Sequence, residues 1–186
     1  MGFLFWFLTN FTLLLFDMPV FSVAELAAFN QGRELLVGRG LAVLAAWALL
    51  NLVGSGYFLK AADRRHPAFY FHGMNVGWGA INALLACWGI LHIQFAAPAG
   101  LRLADVVQAQ LHHENIFLFN AGLDAAYVMT GFYLVARAAG PDQAHPARLL
   151  GFGRSLWVQG GFLLAFDAVM WSLLHWQGSR WLVLLP

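Results

Sequence analysis

The stretch HENIFLFNAGLDAAYVMTG, residues 113–131, decides how the chain is read, because it sets a carboxylate, Asp124, in the middle of an apolar segment. At helical spacing His113, Asn120, Asp124, Tyr127 and Gly131 share one narrow face, while Ile116, Leu118, Ala125, Ala126 and Met129 cover the rest. A polar stripe on an apolar helix must face protein or water, since hydrocarbon offers it no hydrogen-bond partner. The segment therefore predicts a membrane helix packed into a bundle with a polar interior.

Composition points the same way. Hydrophobic residues make up 61% and charged residues 10% of the 186-residue chain, and the mean hydropathy is +0.67; soluble domains average ~25% charged residues. The expected class is all-α, an integral membrane four-helix bundle with an additional N-terminal apolar helix. A formal net charge of +1 gives no reason to invoke nucleic acid. Cys87, the only cysteine, excludes a disulfide or CxxC site within one chain and reads as a small apolar packing residue.

Working outward from residues 113–131, three further apolar segments are long enough to span. The expected spans are residues 38–59, 69–91, 115–136 and 155–176, inside a single bundle domain covering residues 25–186. Residues 1–24 form an N-terminal apolar segment. Its core, residues 3–16, covers only ~21 Å at 1.5 Å per residue, short of a ~30 Å hydrocarbon core. It reads as an uncleaved helix, tilted or interfacial and broken at Pro19, or as a signal-like peptide ending near Ser22-Val23-Ala24. Ser22 with Glu25 three residues on predicts a capping box and a helix that runs through Arg33 and Glu34 and enters the membrane near Gly38. Turns are expected at residues 60–67, 97–100 and 140–146, where proline and glycine gather.

Loop charge sets the expected orientation. Lys60, Arg64, Arg65, Arg137, Arg148 and Arg154 collect on one side, and Arg33, Arg39, Arg102 and Arg180 on the other. The richer side is placed in the cytoplasm, which leaves the C-terminus outside.

Each span has a face unlike lipid-facing helix. The first offers Gly40, Leu44, Trp47, Asn51 and Ser55; the second His72, Asn75, Gly79, Asn82 and Ala86; the last Gly153, Gly160, Asp167 and Leu174 at seven-residue spacing, with Gln159 at the edge. Counted from the outer ends, Asn82, Asp124 and Asp167 all lie roughly 13 to 14 Å deep, and Asn51 and Asn75 lie deeper. A carboxylate at mid-membrane costs at least ~2.5 kcal/mol, so two at one depth call for an explanation. If they meet, they share a proton or hold a cation, because adjacent ionised carboxylates repel.

Plainer readings stand beside these. Interior asparagines commonly act as interhelical glue. His72 lacks a metal-ligand partner on its own helix and reads as a hydrogen-bonded interface histidine, and His112, His113 and Glu114 read as a solvated outer mouth. The glycines at 73, 77, 151 and 153 read as packing or helix-start features, because no P-loop lysine or preceding strand accompanies them. No catalytic constellation or metal set is legible, and no cofactor can be named.

The blocks FNQGR (29–33), WALLN (47–51), FHGMNVGWGAIN (71–82), FNAGLD (119–124) and GFGRSLWVQGGFLLAFD (151–167) together resemble a family of small, uncharacterised bacterial membrane proteins. The resemblance covers most of residues 29–167. It implies a bacterial envelope protein, whose expected place is the inner membrane, and brings no established activity, cofactor or catalytic residue. In similar sequences the segment before Phe29 looks like a signal peptide.

Three functional classes follow. The expected one is binding or translocation of a proton, cation or small polar molecule at Asp124, Asp167 and Asn82, with Asn51, Asn75, Asn120, Tyr127, His72 and Gln159 along the polar interior. A second is a non-catalytic accessory or assembly subunit, in which the same residues only lock helices together. The third, a haem- or quinone-binding protein, finds no evident axial histidine pair. The expected partners are the lipid bilayer and, since four helices are few for a solitary carrier, further copies of the chain or a larger membrane complex.

Overall fold

The computed structural model describes residues 21–95 and 102–182. Most of the N-terminal apolar segment and the turn at residues 97–100 lie outside the described residues. Four helices follow in order: α1, Val23–Ala61; α2, Pro67–Phe95; α3, Leu103–Ala138; and α4, Pro146–Leu182. All four are long and apolar enough to cross a membrane. They run up and down, so the starts of α1 and α3 and the ends of α2 and α4 share one end of the bundle, the first end. The turns at residues 62–66 and 139–145 form the second end.

Local chemistry explains where the helices begin. Ser22 caps α1 in the expected capping box: its hydroxyl accepts from the Glu25 amide at 3.2 Å, and the Glu25 carboxylate accepts from the Ser22 amide at 2.8 Å. Pro67 and Pro146 stand at the starts of α2 and α4, where a missing N–H leaves nothing unpaired. The expected spans in α3 and α4 stop short of the observed helices. The extra turns persist because their polar side chains pair with one another: Gln110 donates to Glu114 at 2.9 Å and to the Leu174 carbonyl at 2.6 Å, and His175 meets Glu114 at 3.0 Å.

Helix α1 runs from its cap past Arg33, Glu34 and Gly38 without a break. Its one irregularity is a π-helical stretch, Asn51–Ser55, which turns both Asn51 and Ser55 inward. At this level α2 comes close. A Cβ on Gly79 would sit 3.0 Å from the Ala48 carbonyl and 3.2 Å from the Asn51 Cβ.

The outside is apolar and much of the inside is not. Leu84, Trp88 and Met129 are each 71% exposed, whereas among the described residues ten buried side chains are polar against eleven hydrophobic. Two small apolar clusters fill the rest, Val37, Phe117, Met170 and Leu174 near the first end and Leu44, Ala86 and Leu163 in the middle. Cys87 is exposed, one position round the helix from buried Ala86, so its expected packing role is corrected by helix phase.

Helices α3 and α4 share the most extensive contact. Glycines make it: a Cβ on Gly153 would lie 2.8 Å from the Gly131 carbonyl, and one on Gly131 would lie 2.9 Å from the Gly153 carbonyl. By contrast, among the described residues no Cα of α2 lies within 8 Å of a Cα of α3. The bundle is therefore zipped along one pair of helices and parted along another.

Gly153→Ala is expected to destabilise the bundle by ~1–3 kcal/mol, because the new methyl meets backbone that cannot rotate away. Gly161→Ala, with nothing within 4 Å, is expected to be neutral or to stabilise by up to ~1 kcal/mol through helix propensity. Unfolding of the purified chain in detergent compares the two.

Candidate functional site

The polar side chains of the interior divide into two layers. In the layer nearer the second end, Gln159 is fully buried and contacts two other helices. Its amide nitrogen donates to Asn51 at 2.7 Å and to Asn75 at 3.0 Å, and its carbonyl oxygen accepts from the Trp47 indole at 2.9 Å. Ser155 donates to Asn75 at 2.6 Å, and Asn51 donates back to the Trp47 carbonyl at 2.8 Å. Five side chains thus tie α1, α2 and α4 together with their hydrogen bonds made. Gln159, expected at the edge of its helix stripe, is the centre of this network; the seven-residue spacing that picked out Gly160 and Asp167 describes the face toward α3, and Gln159 sits on the adjoining face toward α1 and α2.

The second layer lies about two to three turns further toward the first end. There Asn82 of α2, Asp124 of α3 and Asp167 of α4, 3%, 4% and 5% exposed, line one cavity of about 410 Å³. The Asp124 and Asp167 side chains lie against one another, close enough that each carboxyl group acts on the other. Backbone geometry brings them together. Gly160 lets α4 approach the Asp124 carbonyl, which a Cβ there would meet at 3.2 Å, and Asp167 stands roughly two turns beyond it. Side chains on a helix tilt toward its N-terminus, so in this antiparallel pair the two carboxyl groups lean toward each other.

This second layer is incompletely satisfied. The Asn82 amide nitrogen and one oxygen of Asp124 are buried with no hydrogen-bond partner. Among the described residues the ion pairs are Arg102 with Asp105 and His175 with Glu114, so no cationic side chain neutralises the two aspartates. Nor do three or more metal-binding side chains converge there. A hydrogen bond between carboxyl groups requires a proton, and otherwise a cation must lie between them.

The remaining candidates fall around these layers. Tyr127 stacks edge-on against Trp78, ring centroids 5.0 Å apart, and this contact bridges α2 and α3 at the cavity end nearer the Gln159 layer. Asn120 is half-buried on the cavity wall, less enclosed than its stripe suggested. His72 stands apart from both layers, its Nδ1 3.2 Å from the Ser55 hydroxyl and its ring stacked on Phe58. His113 lines the opposite end of the cavity, with Nδ1 2.8 Å from the Ala109 carbonyl. Sequence reading passed over Ser155, whose spacing from Gln159 by one helical turn was the available signal.

Fold and site together define an all-α bundle with an apolar exterior, a closed amide network and an open acidic cavity. The chain belongs to a family of unknown function, DUF6992, whose model matches residues 43–168. That match takes in both polar layers. No curated protein and no solved structure matches the chain.

The layers should respond differently to isosteric apolar replacement. Gln159→Leu leaves the Trp47 indole and the Asn51 oxygen unpaired and is expected to cost at least ~2 kcal/mol. Asn82→Leu removes a donor that has no partner and is expected to stay within ~1 kcal/mol of wild type. Detergent unfolding of both variants checks the contrast.

Proposed function

We propose that the chain is a multi-pass protein of a bacterial cytoplasmic membrane, crossed by α1 to α4, that binds a proton or a cation at the carboxyl pair Asp124 and Asp167, with Asn82 beside it. The observation that carries this reading is two buried carboxyl groups set against one another with, among the described residues, no cationic side chain paired to either. In hydrocarbon surroundings such a pair is costly unless its charge is neutralised. Binding is favoured over passage across the bundle, because the Gln159 layer that would have to continue the path is already internally hydrogen-bonded.

Orientation follows from the basic residues Lys60, Arg64, Arg65, Arg137, Arg148 and Arg154, which gather at the second end. That end is proposed as cytoplasmic. In a Cys87→Ala background, single cysteines at residues 60–66 and 140–154 are expected to resist an impermeant thiol reagent added from the periplasmic side; prompt labelling of either loop would reverse the topology.

The site itself is tested by thermal unfolding of wild type, Asp124→Asn and Asp167→Asn between pH 4 and 8 with different cations. Loss of the shared proton brings two like charges together, so the wild-type Tm is expected to fall as pH rises and to recover when a suitable cation replaces the proton. Either carboxamide should fold, since it matches a protonated carboxyl in shape, and should lose this response. A wild-type Tm indifferent to both pH and cation identity would sink the binding reading in favour of an accessory subunit.

A further inference from the structure

The acidic cavity opens sideways. Its rim is formed by Ile81, Leu85 and Trp88 on α2 and Ile116 and Leu123 on α3, all of them 40% exposed or more. These are the two helices whose backbones nowhere approach within 8 Å. The opening therefore faces whatever surrounds the bundle, which on the reading above is lipid. The floor is Leu44 and Leu163, and aromatic rings of Trp78, Tyr127 and Phe166 line the walls.

Two of the side chains that line this cavity each carry a buried atom without a partner, and the two are of opposite kind: the Asn82 amide nitrogen donates and the free Asp124 oxygen accepts. An occupant that completes both must accept from one and donate to the other. An ammonium can only donate. A ketone or ether can only accept, and a carboxylate would meet like charge. A hydroxyl does both with one oxygen. Water also does both, but it occupies ~30 Å³, a small part of a cavity of about 410 Å³.

We infer that the cavity between α2 and α3 is a lateral binding site for a membrane-dissolved alcohol or phenol. Its hydroxyl donates to Asp124 and accepts from Asn82, and its apolar body lies against the aromatic wall. This inference rests on the reading of Asp124 and Asp167 as a membrane-embedded carboxyl pair and names the ligand class that the pair and Asn82 would take together.

The test uses the full chain in lipid nanodiscs with radiolabelled 4-nonylphenol, competed by unlabelled 4-nonylphenol, its methyl ether or nonylbenzene. Saturable binding above that of protein-free nanodiscs is expected, with the phenol competing at least tenfold better than the ether or the hydrocarbon. Asn82→Leu should abolish that preference. Leu85→Trp, at an exposed rim position that folding tolerates, should block saturable binding even if Asn82→Leu fails to fold. Equal competition by all three compounds, absence of saturable binding, or binding unchanged by Leu85→Trp would each overturn the inference. The pH and cation response of Tm, measured without nonylphenol, separates the two readings. Its absence alongside intact phenol selectivity sinks only the proton or cation site, and its presence without phenol selectivity sinks only the lateral site.

Discussion

The hydrogen bonds of one fully buried amide, Gln159, hold the rest of the bundle in register. Its nitrogen and oxygen reach α1 through Trp47 and Asn51 and α2 through Asn75, so three helices cannot slide without unpairing several buried groups at once. Each such group costs ~1–3 kcal/mol when left unmatched, whereas apolar contacts between smooth helices change little over a small slip. The π-helical stretch in α1 belongs to the same arrangement, because it keeps Asn51 turned inward and Ser55 facing His72 at the next turn.

With that register held, the glycine contacts between α3 and α4 decide what happens a few turns away. Gly131, Gly153 and Gly160 draw the two backbones together on the side of α4 away from the Gln159 network, and this draws Asp124 and Asp167 into contact. Helix α2, anchored by Asn75 and Gly79 to α1 and α4, has no equivalent contact with α3. The cavity is thus a consequence of geometry: a bundle tightened along one seam and pinned by a second network leaves a gap along the remaining seam.

Much of this was legible in the residues, for reasons that can be traced. A helix rises by a constant 1.5 Å per residue, so Asn82, Asp124 and Asp167 could be put at one depth by counting from their segment ends, and they line one cavity. The capping box at Ser22 and Glu25 is local chemistry and needed no tertiary information. What counting could not supply was azimuth between helices. Asn51 and Asn75 look from sequence like companions of Asp124, but they turn to Gln159, whose importance depends on which neighbours α4 faces. The extent of α4 was underread because hydropathy falls at Gln177, although that side chain packs against Gly32 of α1. Cys87 was misread because one residue is 100° of helix, enough to move a side chain from the core to the surface.

The difference between the two polar layers bears most directly on function. If both existed only to specify helix packing, selection for stability would favour satisfying both, since an unpaired buried donor and acceptor weaken a fold without adding specificity. The Gln159 layer is satisfied, with hydrogen bonds of 2.6 to 3.0 Å among five side chains. The Asp124 layer leaves one donor and one acceptor without a partner, on side chains that line a cavity large enough for more than water, at the gap where two helices part. Departures from local consistency of this kind are where proteins give up stability for a task. On the proposed reading that task is to hold a proton, a cation or a hydroxyl-bearing ligand, while the closed network keeps the frame that presents the unpaired groups.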